Sequence, residues 1–339
     1  MAVSNRFGWG VVGAGRRARE TMIPALLELP RSKLIAVCAA DEERARQLLS
    51  PWPELKIYSQ LDEFLADPKM QVIYIASPHF LHVPQAVSVI ESGKHIFMES
   101  PLALSVDGAH KLIEKARTRG VKLGLAFQFR FHSAMRDLRE KIQAGELGEV
   151  RYLSVNYAER MEWPSNWWSD AMRSGPAAVL RFAVHALDLA SWLHPRPVAE
   201  VMAAGEDDPD TNINSQALVL LRFQGGGLGC ALGSAAVASR DHSIRVDGSR
   251  GSVSLEGDFR GQGPMFWREV REGKETTREY KPEDPIGRML KEFNKAVQEG
   301  AEFSPEGKDG KKIVEITCAV IESMRNKRSV KVGEVLRQT

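Results

Sequence analysis

The run Val11-Val12-Gly13-Ala14-Gly15-Arg16-Arg17-Ala18 sets a GxGxxA pattern between an apolar stretch and a segment of helical spacing. In such a turn Gly13 allows the chain to reverse tightly and Gly15 lets the backbone approach a pyrophosphate. Ala18 is small enough for close helix–strand packing, and the helix N-terminus favours negative charge. The strand before and the helix after supply the context this short pattern needs. The next apolar stretch ends Cys38-Ala39-Ala40-Asp41. Asp41 either meets ribose hydroxyls or caps the helix that starts at Glu42. Arg44, or Arg16 in the glycine turn, could receive a 2′-phosphate, so NAD and NADP both stay open. Farther on, Ser77, Pro78, His79 and His82 follow a third apolar run, and Glu99-Ser100-Pro101 follow a fourth.

These groups sit on alternating strands and helices. Strands are expected at residues 8–12, 33–39, 72–76, 95–98 and 123–127, with helices near 17–29, 42–49, 84–92 and 106–119 between them. Continuous apolar strands separated by helices indicate a parallel sheet covered on both faces, whose ligands bind beyond the carboxyl ends of the strands. After Gln128 the pattern changes. A helix at 134–144 precedes strands at 150–158, 198–204, 215–223, 228–236, 242–247 and 251–256, with turn-like Gly225-Gly226-Gly227 and Asp247-Gly248-Ser249 between strand pairs. Runs of this kind indicate a mainly antiparallel sheet. Two helices, near 284–299 and 307–326, close the chain. The expected fold is α/β: a doubly wound Rossmann domain over 1–126, and a substrate-binding and oligomerisation α/β domain with a large open sheet over 127–339.

Composition narrows the function classes. The 339 residues are 43% hydrophobic and 27% charged, the balance of an ordinary globular protein, and the net charge is +2. So small a charge offers no field for gripping nucleic acid or an anionic membrane. No apolar run is long enough to span a bilayer, and the opening residues pass at once into a strand pattern, leaving no room for a signal peptide. Cys38, Cys230 and Cys318 lie far apart in apolar surroundings, which suits buried thiols in a reducing compartment, and no Cys/His spacing suits a metal. A cytoplasmic, metal-free protein is expected.

Several motifs together resemble the Gfo/Idh/MocA oxidoreductases, the group of glucose-fructose oxidoreductase and inositol dehydrogenase. They are Gly13-Ala14-Gly15-Arg16, Ala76-Ser77-Pro78-His79 with His82, and Gly93 to Ala103, which reads GKHIFMESPLA. Phe127 to His132, Gly145 to Val150 and Gly175 to Asp188 fit the same pattern, so the resemblance covers nearly the whole chain. It implies a Rossmann domain, a C-terminal α/β domain with an open sheet, and a nicotinamide cofactor between them. It also implies redox chemistry at a hydroxyl-bearing carbon of a sugar, polyol or related molecule, and assembly through the open sheet as a homodimer or homotetramer. On this resemblance Gly13, Ala14, Gly15, Arg16, Arg17, Asp41, Ser77, Pro78, His82, Glu99, Pro101 and Arg130 would meet the cofactor, Glu99 against the nicotinamide ribose. Tyr157, Trp163, Trp167 and Trp168 would cover the substrate, although tryptophans in such a loop also serve as a plug at an interface.

Two departures fall on the chemistry. The family's Glu-Lys-Pro is here Glu99-Ser100-Pro101, and its Asp-x-x-x-His is Arg181-x-x-x-His185. Lysine plus aspartate sums to zero formal charge, whereas serine plus arginine sums to +1. With Arg130 also expected nearby, the altered pocket should prefer an anion such as a sugar acid, another small carboxylate or a phosphate, held by an arginine fork, with His185 as the surviving acid/base. The alternative for Arg181 is an ion pair within the fold. Three readings follow: an NAD(P)-dependent oxidoreductase with a remodelled acid/base set, a catalytically silent NAD(P)-binding regulator, and an enzyme that oxidises its sugar only transiently, of lyase, glycosidase or epimerase type. Open-sheet apolar residues such as Val219, Leu221 and Phe223 would need a covering subunit.

Overall fold

The structure, a computed structural model, describes residues 7–163 and 166–334. Two compact units emerge, the first running to Ala126 and taking in Ile286–Lys311, the second comprising Phe127–Pro285 and the chain from Lys312 onward. The sequence reading places its one break after residue 126. Residues 286–311, expected with the C-terminal domain, instead pack with the first unit.

The first unit holds six parallel strands: β1 (Phe7–Val12), β2 (Ser32–Cys38), β3 (Lys56–Tyr58), β4 (Val72–Ile75), β5 (His95–Met98) and β6 (Leu123–Leu125). Their order, β3-β2-β1-β4-β5-β6, reverses direction between β1 and β4, the switch point where ligands of such sheets bind. β4 is buried along its whole length, as apolar strands covered on both faces must be. Trp9, Tyr74 and Phe97 are fully buried in the core. The helix Pro285–Glu299 explains why the later segment returns here: Phe293 packs against Trp9 and Phe97, and Asn294 accepts a hydrogen bond from the Trp9 indole at 3.1 Å.

The second unit is built on β7 (Val150–Ala158), β8 (Val198–Asp207), β9 (Asn214–Phe223), β10 (Leu228–Ser234), β11 (Asp241–Gly248), β12 (Gly251–Gly257), β13 (Met265–Arg271), β14 (Lys274–Tyr280) and β15 (Val330–Lys331). They form one sheet in the order β14-β13-β12-β11-β7-β10-β9-β8-β15. All its pairings are antiparallel except β7 with β10. The helix Val184–Leu193 packs on one face, against β7 and β10. Side-chain alternation then sorts the residues, and here one expectation is corrected. Val219, Leu221 and Phe223 belong to the helix-covered face and are buried, while the alternate residues Leu218 and Leu220 are exposed. A one-residue shift of register exchanges the two faces of a strand, so periodicity alone could not say which set was covered. The thiols also differ from expectation: Cys38 is buried, but Cys230 and Cys318 are only half-buried.

Candidate active site

In the first unit the site is made by strand ends. Gly13 follows β1 with φ of +100°, and a Cβ there would lie 2.9 Å from the Ala76 carbonyl oxygen, so only glycine fits. Its N–H donates to the Cys38 carbonyl at 2.8 Å, joining the turn to the end of β2. A Cβ on Gly15 would meet nothing within 4 Å, and the helix that opens at Arg16 starts beside that space, with the Arg19 N–H donating to the Gly15 carbonyl. Open space at a helix N-terminus, with Ala14 on the turn and Ala18 fully buried, fits a dinucleotide pyrophosphate.

The arginines of this turn are engaged. Arg16 pairs with Glu20 at 2.8 Å on the surface. Arg17 does not point away from the fold: its Nε lies 2.8 Å from Glu99 Oε1, an oxygen that also accepts a hydrogen bond from the buried Tyr74 hydroxyl. Beside that carboxylate and out of water, Tyr74 keeps its proton far above the ordinary tyrosine range, burial being the larger cause. Asp41 caps the next helix, accepting from the Arg44 N–H at 2.9 Å. His82 is buried, with ring nitrogens 2.8 Å from the Pro101 carbonyl oxygen and 3.1 Å from that of Ser77. It therefore ties the Ser77-Pro78 loop after β4 to the Ser100-Pro101 loop after β5. Burial holds its pKa below the usual value, and a neutral ring donates to one of the two carbonyls. Ser100 is half-buried at the end of β5, ahead of a cis peptide bond to Pro101.

In the second unit His185 is the second residue of the helix Val184–Leu193, which directly follows a π-helical turn, Val179–Ala183, that carries Arg181. The imidazole is half-buried among rings, with centroids 5.3 Å from Phe129, 5.7 Å from Tyr157 and 6.2 Å from Phe127. Arg181 directs Nε to the Met161 sulfur at 3.1 Å, and its guanidinium lies 5.5 Å from the Trp168 ring and 5.8 Å from Phe182. Trp168 in turn lies 4.0 Å from Trp167 and 5.6 Å from Trp163, centroid to centroid. Tyr157, Arg181, His185 and the tryptophans thus converge on one region of this unit. Arg130, expected beside the cofactor, is buried in a two-point pair with Asp188.

One group escaped the sequence reading. His242, on β11, has a fully buried side chain, its ring 4.7 Å from Tyr157 and 5.2 Å from Phe259. Glu159 and Asp258 oxygens lie 3.9 and 3.8 Å from its two nitrogens, and Arg260 bridges those carboxylates. Burial, with Arg240 adding repulsion, pushes its pKa down to about 3. The available signal was a histidine in phase with the inward-facing Ile244 and Val246. Among the described residues, no group of three or more His, Cys, Asp or Glu side chains could hold a metal ion, and no helix is long and apolar enough to cross a membrane.

Comparison with known proteins agrees with this geometry. The family described as "Oxidoreductase family, NAD-binding Rossmann fold" matches residues 7–127, and "GFO/IDH/MocA C-terminal domain" matches 135–254. An uncharacterized oxidoreductase of Rhizobium meliloti is 30% identical over 251 residues, 74% of this chain and 75% of its own. Myo-inositol 2-dehydrogenase of Thermotoga maritima is 27% identical, covering 96% of this chain and 99% of its own. A solved levoglucosan dehydrogenase, in complex with NADH and levoglucosan, shares the fold at a TM-score of 0.83 with 19% identity, over 97% of this chain and all of that one.

Proposed function

Because the chain belongs to the Gfo/Idh/MocA oxidoreductases, with their NAD-binding Rossmann domain, we propose that it moves a hydride to or from a hydroxyl-bearing carbon of a small sugar acid. The observation that carries this reading is Arg181, a permanent cation set on a tryptophan cluster one turn before His185. Guanidinium recognises carboxylate by a two-point fork, and indole faces suit the apolar face of a sugar ring.

The glycine turn and the helix opening at Arg16 would hold the pyrophosphate, with Glu99 and the loops tied by His82 toward the nicotinamide end. NAD or NADP, when bound, supplies the hydride-accepting or hydride-donating ring. The remaining work falls to this chain. His185 takes the hydroxyl proton on a ring nitrogen as the alcohol is oxidised and returns it in reduction. Ser100 contributes at most a neutral hydrogen bond, so His185 carries the proton transfer that other members share with a lysine. Arg181 and the rings of Trp163, Trp167, Trp168 and Tyr157 orient the substrate. We place the enzyme in a reducing compartment such as the cytoplasm, where its buried Cys38 and half-buried Cys230 and Cys318 stay thiols. It assembles as a homodimer or homotetramer through the exposed face of the second sheet.

The test is fluorescence titration with NADH and NADPH, then turnover of D-glucuronate, D-gluconate and myo-inositol. We expect binding and a preference for the acids. Faster turnover of myo-inositol would overturn the anionic substrate. Binding with no turnover of any compound would favour a silent regulator, and consumption of substrate with no net cofactor reduction would favour transient oxidation.

A further inference from the structure

We propose that Arg130 and Asp188 form a positioning pair that sets His185, an inference resting on the reading of His185 as the proton-carrying group. Arg130 lies in the short 3-10 turn Gln128–Phe131, and Asp188 follows His185 by three residues on one helix, about a turn along the same side. Arg130 Nε is 2.9 Å from Asp188 Oδ2, and Nη2 reaches Oδ1, so the contact is a two-point fork. Both residues are buried, at 4% and 1% exposure. The guanidinium lies against the Phe127 and Trp192 rings, at 5.5 and 5.8 Å. Phe129 of the same turn and Phe127 just before it pack on the His185 imidazole, so one short segment holds the helix ionically and the histidine sterically.

Stability alone does not account for this arrangement. Burying an ion pair costs both partners their hydration, and a well-packed apolar pair of similar volume is often as stable or more so. A planar fork adds direction: it admits one mutual orientation, whereas ring-on-ring contacts tolerate sliding. The pair therefore fixes the rotation of the helix about its axis, and with it the ring of His185. The fold needs such a register device here, because the preceding π turn departs from regular helical geometry.

The experiment replaces the pair by an apolar one, Arg130→Met with Asp188→Leu, in the full chain. His185 is followed through its ring-nitrogen NMR signals, assigned by their loss in His185→Asn. We expect its titration midpoint or tautomer balance to move. On the fastest-turned-over compound of the sugar-acid panel, kcat should fall about 10-fold or more with KM nearly unchanged, the pattern of a lost transition-state contribution. Introduced into His185→Asn, the same pair of substitutions should cost nothing further, because residues that act through one group are not additive. A folded variant with an unmoved His185 titration, or an equal loss in both backgrounds, would overturn the proposal. Should the apolar pair fail to fold, Arg130→Lys keeps the charge but loses the fork and is read the same way. Full turnover by His185→Asn would instead refute the catalytic reading of His185, while a moved His185 titration would still support the pair.

Discussion

At the scale of residues, Asp41 turns cofactor choice into a measurable quantity. One carboxylate oxygen caps the helix Glu42–Leu48, and on the proposed cofactor reading its negative charge would repel a 2′-phosphate. The guanidinium of Arg16, which could have attracted that phosphate, is paired with Glu20. NADH should therefore bind better than NADPH. Asp41→Ser keeps a good N-cap but removes the charge, so it should narrow the preference by about 10-fold or more, a hydrogen bond to a charged group being worth about 1.5–3 kcal/mol. Equal affinities in the wild type, by fluorescence titration, would refute this. Arg181→Gln tests the substrate side: KM for the acid should rise by about 10- to 100-fold, from the same range of energies, with that for a neutral polyol little changed. The tight turn at Gly13, the open space at Gly15 and the helical setting of His185 were legible because they reside in local patterns. The engagements of Arg17 and Arg130 were not, since their partners Glu99 and Asp188 lie 82 and 58 residues away and no local spacing encodes them.

At the scale of elements, legibility followed how much apolar surface each element buries. The apolar strand β5, the amphipathic helix Val106–Arg119 and the alternating strand β7 fall where residue pattern places them. β13 and β14 were missed: β14, KETTREY, exposes every residue but Tyr280 and is held by its backbone pairing with β13, which leaves no hydrophobic signal, whereas β13 does alternate, burying Met265 and Trp267, and that signal went unused. β11 shows the converse, a polar group placed inside an apolar strand, and this has a consequence for acid stability. His82, His95, His194 and His242 all have pKa values lowered primarily by burial. Below the unfolded value of about 6.5 the unfolded chain binds more protons than the folded one, so stability rises with pH and is lost as pH falls. For His242 the loss should extend from about 6.5 down to the folded value of about 3. Each such proton contributes at most about 1.4 kcal/mol per pH unit. His242→Phe should shallow the decline of unfolding free energy between pH 6 and 4, read by urea denaturation, by about 1 kcal/mol per unit. An unchanged slope would show that His242 titrates normally in the folded state.

At the scale of the whole molecule, the second sheet poses the remaining physical problem. Its helix-covered face carries Leu153, Val155, Val219, Leu221, Ile244 and Val246, all buried. The opposite face sets Met202, Leu220 and Cys230 side by side across β8, β9 and β10, with Leu218 and Leu228 nearby. Leu220 is 54% exposed and Met202 50%. Scattered apolar residues on a surface need no explanation, but a contiguous apolar row on a broad sheet marks an interaction surface. A second copy of the same chain, related by a twofold axis, would cover such a face with one isologous interface. A stable interface hides about 800 Å² per partner, an area well suited to a face several strands wide. Leu220→Glu puts a charge in the middle of that row, and should yield a monomer by light scattering with NADH affinity unchanged, since the glycine turn belongs to the other unit. A wild-type chain that is already monomeric at micromolar concentration would refute the assembly. A substituted chain that stays oligomeric would place the contact on a different surface.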